Sequence, residues 1–265
     1  MKRAVIIPDS HHGGRRSPDG HWEPLHDERA CSAALEVVAA VRPNEVILLG
    51  DHLDLAEQGR FTVTPDLMQT TQRSLEELHS FLVRLRDVAG PACKITYIQG
   101  NHEQRLERKL LEDAPCFVDL KAIGSNHKVL SVPNLLGLDE LKIDYVSPYG
   151  AVYWLWGQVQ CVHGDILRKH GTASTRLMEQ PFHQVFGHGH CLDYSARTIH
   201  TASGPKTLYA MSPGTLARID GVVPAGTASV KWSQGVGVVC MDSDKDIFMT
   251  ILPIVSGKVK VRLSY

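Results

Sequence analysis

Short apolar stretches alternate with helical patterns over the first 100 residues of the chain. Ala4 to Pro8, Val46 to Leu49 and Ile95 to Ile98 are short and mainly apolar, which is typical of buried strands. Between them, apolar side chains recur at helical spacing from Ala30 to Val41 and again from Leu75 to Leu85. The order strand, helix, strand, helix, strand predicts a parallel sheet covered by helices.

The second half of the chain changes to short strands with few helices between them. These predicted strands are Ala151 to Trp156, Gln158 to His163, Val185 to Gly187, Thr207 to Met211, Val236 to Met241, Ile247 to Ile251 and Val259 to Leu263. Two sheets packed face to face, with helices outside, accommodate both halves. We therefore predict an α/β fold that forms a single domain over residues 1–265.

Glycine and polar residues cluster at the ends of five predicted strands. The clusters are Asp9-Ser10-His11, Gly50-Asp51-His52-Leu53-Asp54, Gly100-Asn101-His102-Glu103, His163-Gly164-Asp165 and Gly187-His188-Gly189-His190. Ligands of open α/β sheets gather beyond the carboxyl ends of the strands, so we expect the clusters to converge in space. Imidazole and carboxylate groups without a thiolate suit zinc, iron, nickel and manganese, and they disfavour a closed structural zinc site.

Each cluster has an ordinary explanation when it is taken alone. An aspartate at a strand end is often a helix cap, and His188 and His190 could face a core pocket without any metal. Five such clusters, each after a strand, favour a metal centre over coincidence.

Composition and charge argue against several classes of partner, although they leave room for a small local basic patch. The chain has 28 basic and 29 acidic residues, a balance that argues against a nucleic-acid coat or a membrane-surface protein. The apolar run from Ala4 to Pro8 is too short for a signal-peptide core or a membrane span. The six cysteines include no C-x-x-C pair, so we expect reduced thiols and a cytoplasmic protein without a membrane partner.

The five clusters resemble the motif set of calcineurin-like metallophosphoesterases. In this chain the motifs D-x-H, G-D-x-x-D, G-N-H-E, H-G and G-H-x-H run from Asp9 to His190. The resemblance implies a four-layer fold of two stacked mixed β-sheets flanked by helices. It also implies a first metal bound by Asp9, His11 and His190, a second metal bound by Asn101, His163 and His188, and Asp51 as the carboxylate that bridges both.

The same resemblance implies a mechanism and its cofactors. Two divalent ions would share a hydroxide that attacks phosphorus in line, with manganese as our first choice and iron, zinc, nickel or magnesium as alternatives. His102 resembles the general acid that protonates the leaving oxygen. Asp54 resembles the carboxylate that orients His102 and raises its pKa.

Departures from the family pattern indicate which subfamily the chain resembles most. Leu55 follows Asp54 where Ser/Thr protein phosphatases have an arginine, which argues against that subfamily. The run from Gly100 to Leu106, together with Trp232 and Gly235, is more similar to phosphoesterases encoded by phages and bacteria. A virus-encoded enzyme of this kind would act in the host cytoplasm.

Two further features have both a functional and an ordinary interpretation. Arg105 opens the helix after the third cluster and could bind a substrate phosphate bidentately, but it could also lie on a solvated helix face. Val152, Trp154 and Trp156 share one face of a predicted strand, where aromatic rings could stack on a nucleobase. For these three we favour core packing.

We predict hydrolysis of a small phosphodiester or phosphomonoester, derived from a nucleotide. The first alternative is a metal-dependent nuclease acting on DNA or RNA, which the absence of a basic stripe disfavours. The second is an inactive phosphoesterase scaffold, which the intact ligand set and His102 disfavour.

Overall fold

A computed structural model of the chain describes residues 1–60, 62–165, 171–202, 204–223 and 231–259. The strands are β1 (Lys2–Ile7), β2 (Gly14–Arg16), β3 (Trp22–Pro24), β4 (Glu45–Leu48), β5 (Lys94–Ile98), β6 (Ile143–Val146), β7 (Tyr153–Leu155), β8 (Val159–Val162), β9 (His183–Phe186), β10 (Leu192–Thr201), β11 (Gly204–Pro213), β12 (Gly235–Met241), β13 (Ile247–Val255) and β14 (Lys258–Val259). The α-helices are α1 (Glu28–Val41), α2 (Thr71–Ala89), α3 (Gln104–Asp113), α4 (Val132–Leu135) and α5 (Thr172–Glu179). Short 3₁₀ helices lie at Ala56–Gln58, Pro65–Leu67 and Pro115–Phe117.

The first sheet joins strands from both ends of the chain. Its order is β14-β13-β12-β1-β4-β5-β6. Strands β1, β4, β5 and β6 run parallel, whereas β12 and β13 are antiparallel to their neighbours. The carboxyl ends of the four parallel strands therefore meet at one edge of the sheet.

The second sheet has the order β10-β11-β9-β8-β7. Strands β8, β9 and β11 run parallel at its centre, and β7 and β10 pair antiparallel at its edges. Strands β8 and β9 thus also end at a common edge.

Three apolar clusters separate four layers. Alternate residues of β1 face opposite sides: Val5 and Ile7 pack with helices α1 and α2, while Ala4 and Ile6 pack between the two sheets. A third cluster lies between the outer face of the second sheet and α5, where Leu177 packs near Phe186, Leu208 and Ala210. The prediction of two stacked mixed sheets flanked by helices is confirmed.

The structure also adds and corrects elements. The sequence patterns did not indicate β6, β10, α5 or the β2–β3 hairpin. Most of the predicted last strand, Val259 to Leu263, lies outside the described residues. Core packing was wrong for Val152 and Trp154, which are 39% and 43% exposed. Among the described residues, no helix combines the length and the apolarity that crossing a membrane requires.

Candidate metal centre

The polar turns after five strands converge between the two sheets. Asp9 and His11 follow β1, Asp51 follows β4, and Asn101 follows β5, all in the first sheet. From the second sheet, His163 follows β8, and His188 and His190 follow β9. Hydrogen bonds join the sheets here: for example, the His188 amide donates to Asp9 at 2.9 Å, and Nδ1 of His163 donates to the Leu49 carbonyl oxygen at 2.8 Å.

The first group of candidate ligands consists of Asp9, His11, Asp51 and His190. One nitrogen or oxygen atom of each lies within 4.8 Å of the others. Nε2 of His190 is 3.0 Å from Oδ2 of Asp9 and 3.1 Å from Nε2 of His11. Two imidazoles and two carboxylates at these spacings could hold a divalent cation.

The second group consists of Asp51, His163 and His188, with Asn101 beside it. The first three again lie within 4.8 Å of one another. Nε2 of His163 is 3.0 Å from Oδ1 of Asn101 and 3.2 Å from Oδ2 of Asp51. The two groups share Asp51, so the structure brings together all seven residues that the sequence proposed as ligands.

The hydrogen bonds of two histidines fit metal binding. Nδ1 of His11 lies 3.0 Å from Oδ1 of Asp54, and Nδ1 of His163 lies 2.8 Å from the Leu49 carbonyl oxygen. Each Nδ1 therefore carries the proton, which in the neutral ring leaves the lone pair on Nε2 directed at the other candidate ligands. Around Nε2 of His163, two acceptor oxygens and a lone pair meet, an arrangement that requires a proton or a cation.

The pKa values of the site indicate the same need for positive charge. Burial opposes protonation of His163, but the charge of Asp51 and the hydrogen bond with it raise the pKa of His163 to about 10. Burial raises the pKa of Asp9, yet the hydrogen bond from His190 and the charge of His163 lower it overall to about 2. Burial likewise raises the pKa of Asp51, and the charges of His102 and His163 bring it well below its usual value. The carboxylates are thus ionised and take up positive charge from protons or from metal ions.

Backbone strain is concentrated at the same residues. His11, Asp51, His188 and His190 have φ values of 51°, 49°, 64° and 53°, in the left-handed region that residues other than glycine seldom adopt. Such strain persists where the surroundings over-determine it, and it is frequent at functional sites. Gly187 lets the Asp9 carboxylate approach the backbone closely, because a Cβ atom at position 187 would lie 2.5 Å from Oδ1 of Asp9.

His102 and Asp54 lie beside Asp51, the residue that both candidate groups share. Nδ1 of His102 is 3.0 Å from Oδ1 of Asp54, and its Nε2 is 3.7 Å from Oδ2 of Asp51. Burial lowers the pKa of His102, but the charge of Asp51 and the hydrogen bond with Asp54 raise it above the ordinary value. Asp54 also contacts His11, so one carboxylate orients two histidines, a double role that the sequence did not indicate.

Arg105 lies beside His102. Its guanidinium donates to the Asp54 carbonyl oxygen at 2.8 Å and lies 2.7 Å from Nε2 of His102. A guanidinium only donates, so this contact makes Nε2 of His102 an acceptor in the neutral ring, and the raised pKa of His102 favours a proton on Nε2 once Arg105 moves away. Neighbouring Arg108 and Lys109 pair with Glu112 and Asp113, as expected of a solvated helix face.

Sequence reasoning missed other residues that organise the site. Ser10 lies between two candidate ligands, and its hydroxyl contacts Nδ1 of His12 at 2.9 Å and Nδ1 of His52 at 2.8 Å. The hydroxyl of Thr215 donates to the Asp9 carbonyl oxygen at 2.8 Å. Glu103 stood in the third cluster without a role, although its carboxylate is buried next to Asp51. Membership in a cluster was the one signal that could have drawn attention to Ser10 and Glu103.

Comparisons with known proteins give two phage relatives of low sequence identity. No protein-family model matches the chain. The chain is 23% identical over 273 residues to the Gene 54 protein of Mycobacterium phage L5, across 98% of this chain and 96% of the relative. It is also 23% identical over 274 residues to the Gene 54 protein of Mycobacterium phage D29, with the same coverage. Both relatives are phage proteins of nearly the same length.

Solved structures include a distant likeness to this chain. The phosphoesterase Yfce of E. coli aligns with 94% of this chain and 98% of its own, at 15% identity and a TM-score of 0.41. A score at this level is too low to carry fold or function from one protein to the other. The interpretation of the site therefore depends on its own geometry.

Proposed function

We propose that the protein is a metal-dependent phosphoesterase with a binuclear centre. The observation that carries the proposal is the pair of ligand groups that share Asp51, with His102 at their rim. In this assignment Asp9, His11 and His190 hold one divalent ion and Asn101, His163 and His188 hold the other. The motif resemblance described from the sequence supports the same assignment.

The donor set is suited to ions such as manganese, with iron, zinc, nickel or magnesium as alternatives. It consists of imidazoles, carboxylates and one amide oxygen, and it contains no thiolate. When bound, divalent ions supply Lewis acidity, which polarises a phosphoryl group and lowers the pKa of water.

The residues at the rim supply proton transfer and orientation. Asp54 holds Nδ1 of His102, so Nε2 faces the site and can give a proton to the leaving oxygen of an ester. In the structure the Arg105 guanidinium donates a hydrogen bond to Nε2 of His102. This hydrogen bond must break before Nε2 can carry a proton. A substrate phosphoryl oxygen offers the guanidinium a charged acceptor in exchange. His102 is therefore the proposed general acid and Arg105 the proposed phosphate-binding residue.

The preferred substrates are small phosphate esters derived from nucleotides. A panel of bis-p-nitrophenyl phosphate, p-nitrophenyl phosphate, cyclic nucleotides and single-stranded DNA, each with and without manganese, tests the proposal. We expect hydrolysis that requires the metal and is abolished by a chelator. Cleavage of DNA alone would favour the nuclease alternative. Tight manganese binding without turnover of any ester would favour an inactive scaffold.

A further inference from the structure

Glu103 is a buried carboxylate surrounded by five hydrogen-bond donors. It is 1% exposed. Its Oε1 accepts from the amides of His52 and Leu53 and from the Tyr97 hydroxyl, at 2.8, 2.9 and 2.6 Å. Its Oε2 accepts from the amides of Asp51 and Gly100, both at 2.9 Å. Together these bonds use the acceptor capacity of the carboxylate almost completely.

Four of these donors are backbone amides of two turns at the site. Three consecutive amides, those of Asp51, His52 and Leu53, belong to the turn after β4. The fourth belongs to Gly100, directly before Asn101 in the turn after β5. Glu103 therefore joins the turn of the shared carboxylate to the turn of Asn101 and His102.

This arrangement offsets a local conformational cost. Asp51 has a left-handed backbone, at φ 49°, which is unfavourable for a residue with a Cβ atom. The amide of His102 in turn donates to Oδ1 of Asp51 at 2.8 Å, so the fixed turn also fixes the side chain. Gly100 packs so closely on Asp51 that a Cβ atom there would overlap its carboxylate. Without Glu103, the amides of Asp51, His52 and Leu53 would lose their acceptor.

We propose that Glu103 is a positioning residue, which holds the Asp51 turn in the geometry that binds metal. This inference rests on the proposed role of Asp51 as a ligand of both ions. Glu103 is not among the seven candidate ligands, and it acts on the site through the backbone amides of the two turns. A carboxylate is required because it only accepts, whereas a glutamine amide would direct N–H groups at two or three of the donors.

The test compares Glu103→Gln with wild type in two measurements. The first is manganese binding by calorimetry on the folded full-length protein, where we expect affinity to fall about 10–100-fold, the usual effect of losing a residue that orients ligands. The second is amide hydrogen exchange, where the segment from Asp51 to Leu53 should exchange faster even without metal. The exchange measurement does not depend on any activity.

Glu57→Gln is the matched control. The Glu57 carboxylate also accepts from three backbone amides and one hydroxyl, those of Gln69, Thr70 and Thr71, but none of these donors adjoins a candidate ligand. This variant should lower thermal stability without changing manganese affinity. Equal loss of affinity in both variants would show a general effect of stability and would overturn the proposal.

Tyr97→Phe tests the positioning role of Glu103 if Glu103→Gln does not fold. It removes one donor from Glu103 and leaves the ring packing in place. We expect faster exchange at the Asp51 turn and a smaller loss of manganese affinity, and no change in either would contradict the positioning role. If wild type itself binds no manganese, the proposed function fails, while the exchange data still show whether Glu103 holds the turn.

Discussion

Asp51 connects the two halves of the candidate centre through a single side chain. Its Oδ2 lies 3.2 Å from Nε2 of His163 and 3.7 Å from Nε2 of His102, and it belongs to both ligand groups. Asp9 and His188, by contrast, each belong to one group. Substitutions at these residues should therefore differ in how many ions they disturb.

We predict that Asp51→Asn loses far more activity than Asp9→Asn or His188→Ala. The amide carries no charge to offset the repulsion between two cations, so both ions should bind weakly. Elemental analysis of purified protein in saturating manganese is the measurement, with two ions per chain expected for wild type. Full activity with at most one bound ion would contradict the binuclear proposal.

At His102 we predict a loss of turnover with retention of metal. His102→Ala should slow hydrolysis by about 10²–10⁴-fold, the usual contribution of a general acid. The loss should shrink for esters of p-nitrophenol, a leaving group that needs little protonation. Steady-state kinetics on alkyl and p-nitrophenyl esters make the comparison. Equal losses on both esters would exclude an acid, and loss of bound metal would make His102 a ligand.

Sequence reasoning reached the identity of the clustered residues but not all of their contacts. Each strand-end cluster could be read from the chain because parallel strands bring their carboxyl ends to one edge. Asp54 contacts His11 as well as His102, and Arg105 lies against Nε2 of His102. These contacts depend on side-chain directions, which the spacing of residues in the sequence does not reveal. The roles of the seven proposed ligands remain predictions for the experiments above.

At the scale of elements, strands with a clear apolar pattern were predictable, whereas the edge strands β6 and β10 were not. Strand β1 has four consecutive buried residues and was visible as an apolar run. Strand β10 alternates half-buried and exposed side chains, and polar residues such as Asp193 and Arg197 hide that alternation in the sequence. Strand β6 is an edge of its sheet with only Ile143 buried, so its sequence has a weak apolar signal.

Strand β9 begins with a histidine that should make stability depend on pH. His183 is 5% exposed, and its Nδ1 accepts from the Tyr209 amide at 3.3 Å. Burial, aided by the charge of Lys206, lowers the pKa of His183 from 6.5 to about 4. In the unfolded chain this histidine takes up its proton near pH 6.5, so the folded state loses stability as the pH falls from about 6.5 to about 4.

We predict that His183→Gln flattens this dependence. Glutamine keeps an acceptor for the Tyr209 amide but does not titrate. The slope of the unfolding free energy against pH should therefore fall by up to about 1.4 kcal/mol per pH unit. Urea unfolding of both proteins between pH 7.5 and 5 measures the difference. Some slope will remain, because burial also lowers the pKa values of His12 and His52. Identical slopes in the two proteins would show that His183 does not titrate as proposed.

The net charge of the whole molecule bears on whether the site prefers phosphate diesters or phosphate monoesters. The net charge is −1, so no general positive field attracts polyanions, and Arg105 is the cation placed against His102. A monoester dianion is usually bound by additional cations, and Leu55 stands where protein phosphatases have an arginine. A diester monoanion needs less positive charge, and its poorer leaving group suits an acid at His102.

We therefore predict that diesters are cleaved at least as well as monoesters. The measurement is kcat/KM for bis-p-nitrophenyl phosphate and for p-nitrophenyl phosphate at the same pH and manganese concentration. A preference for the monoester of more than about tenfold, or about 1.4 kcal/mol in the transition state, would rule out the diesterase assignment. If Arg105→Ala then abolished only the monoester activity, Arg105 would be the compensating cation.

The candidate ligands come from both sheets, which has a consequence for how firmly the two sheets are held together. Asp9 and His190 are 181 positions apart and come from different sheets, so a cation held by both acts as a cross-link across most of the chain. Removing it leaves the sheets joined at this edge by weaker links, such as the bond from His163 to the Leu49 carbonyl. In chelator, a protease should therefore cut sooner next to His188 and His190, after β9, and manganese should delay that cleavage.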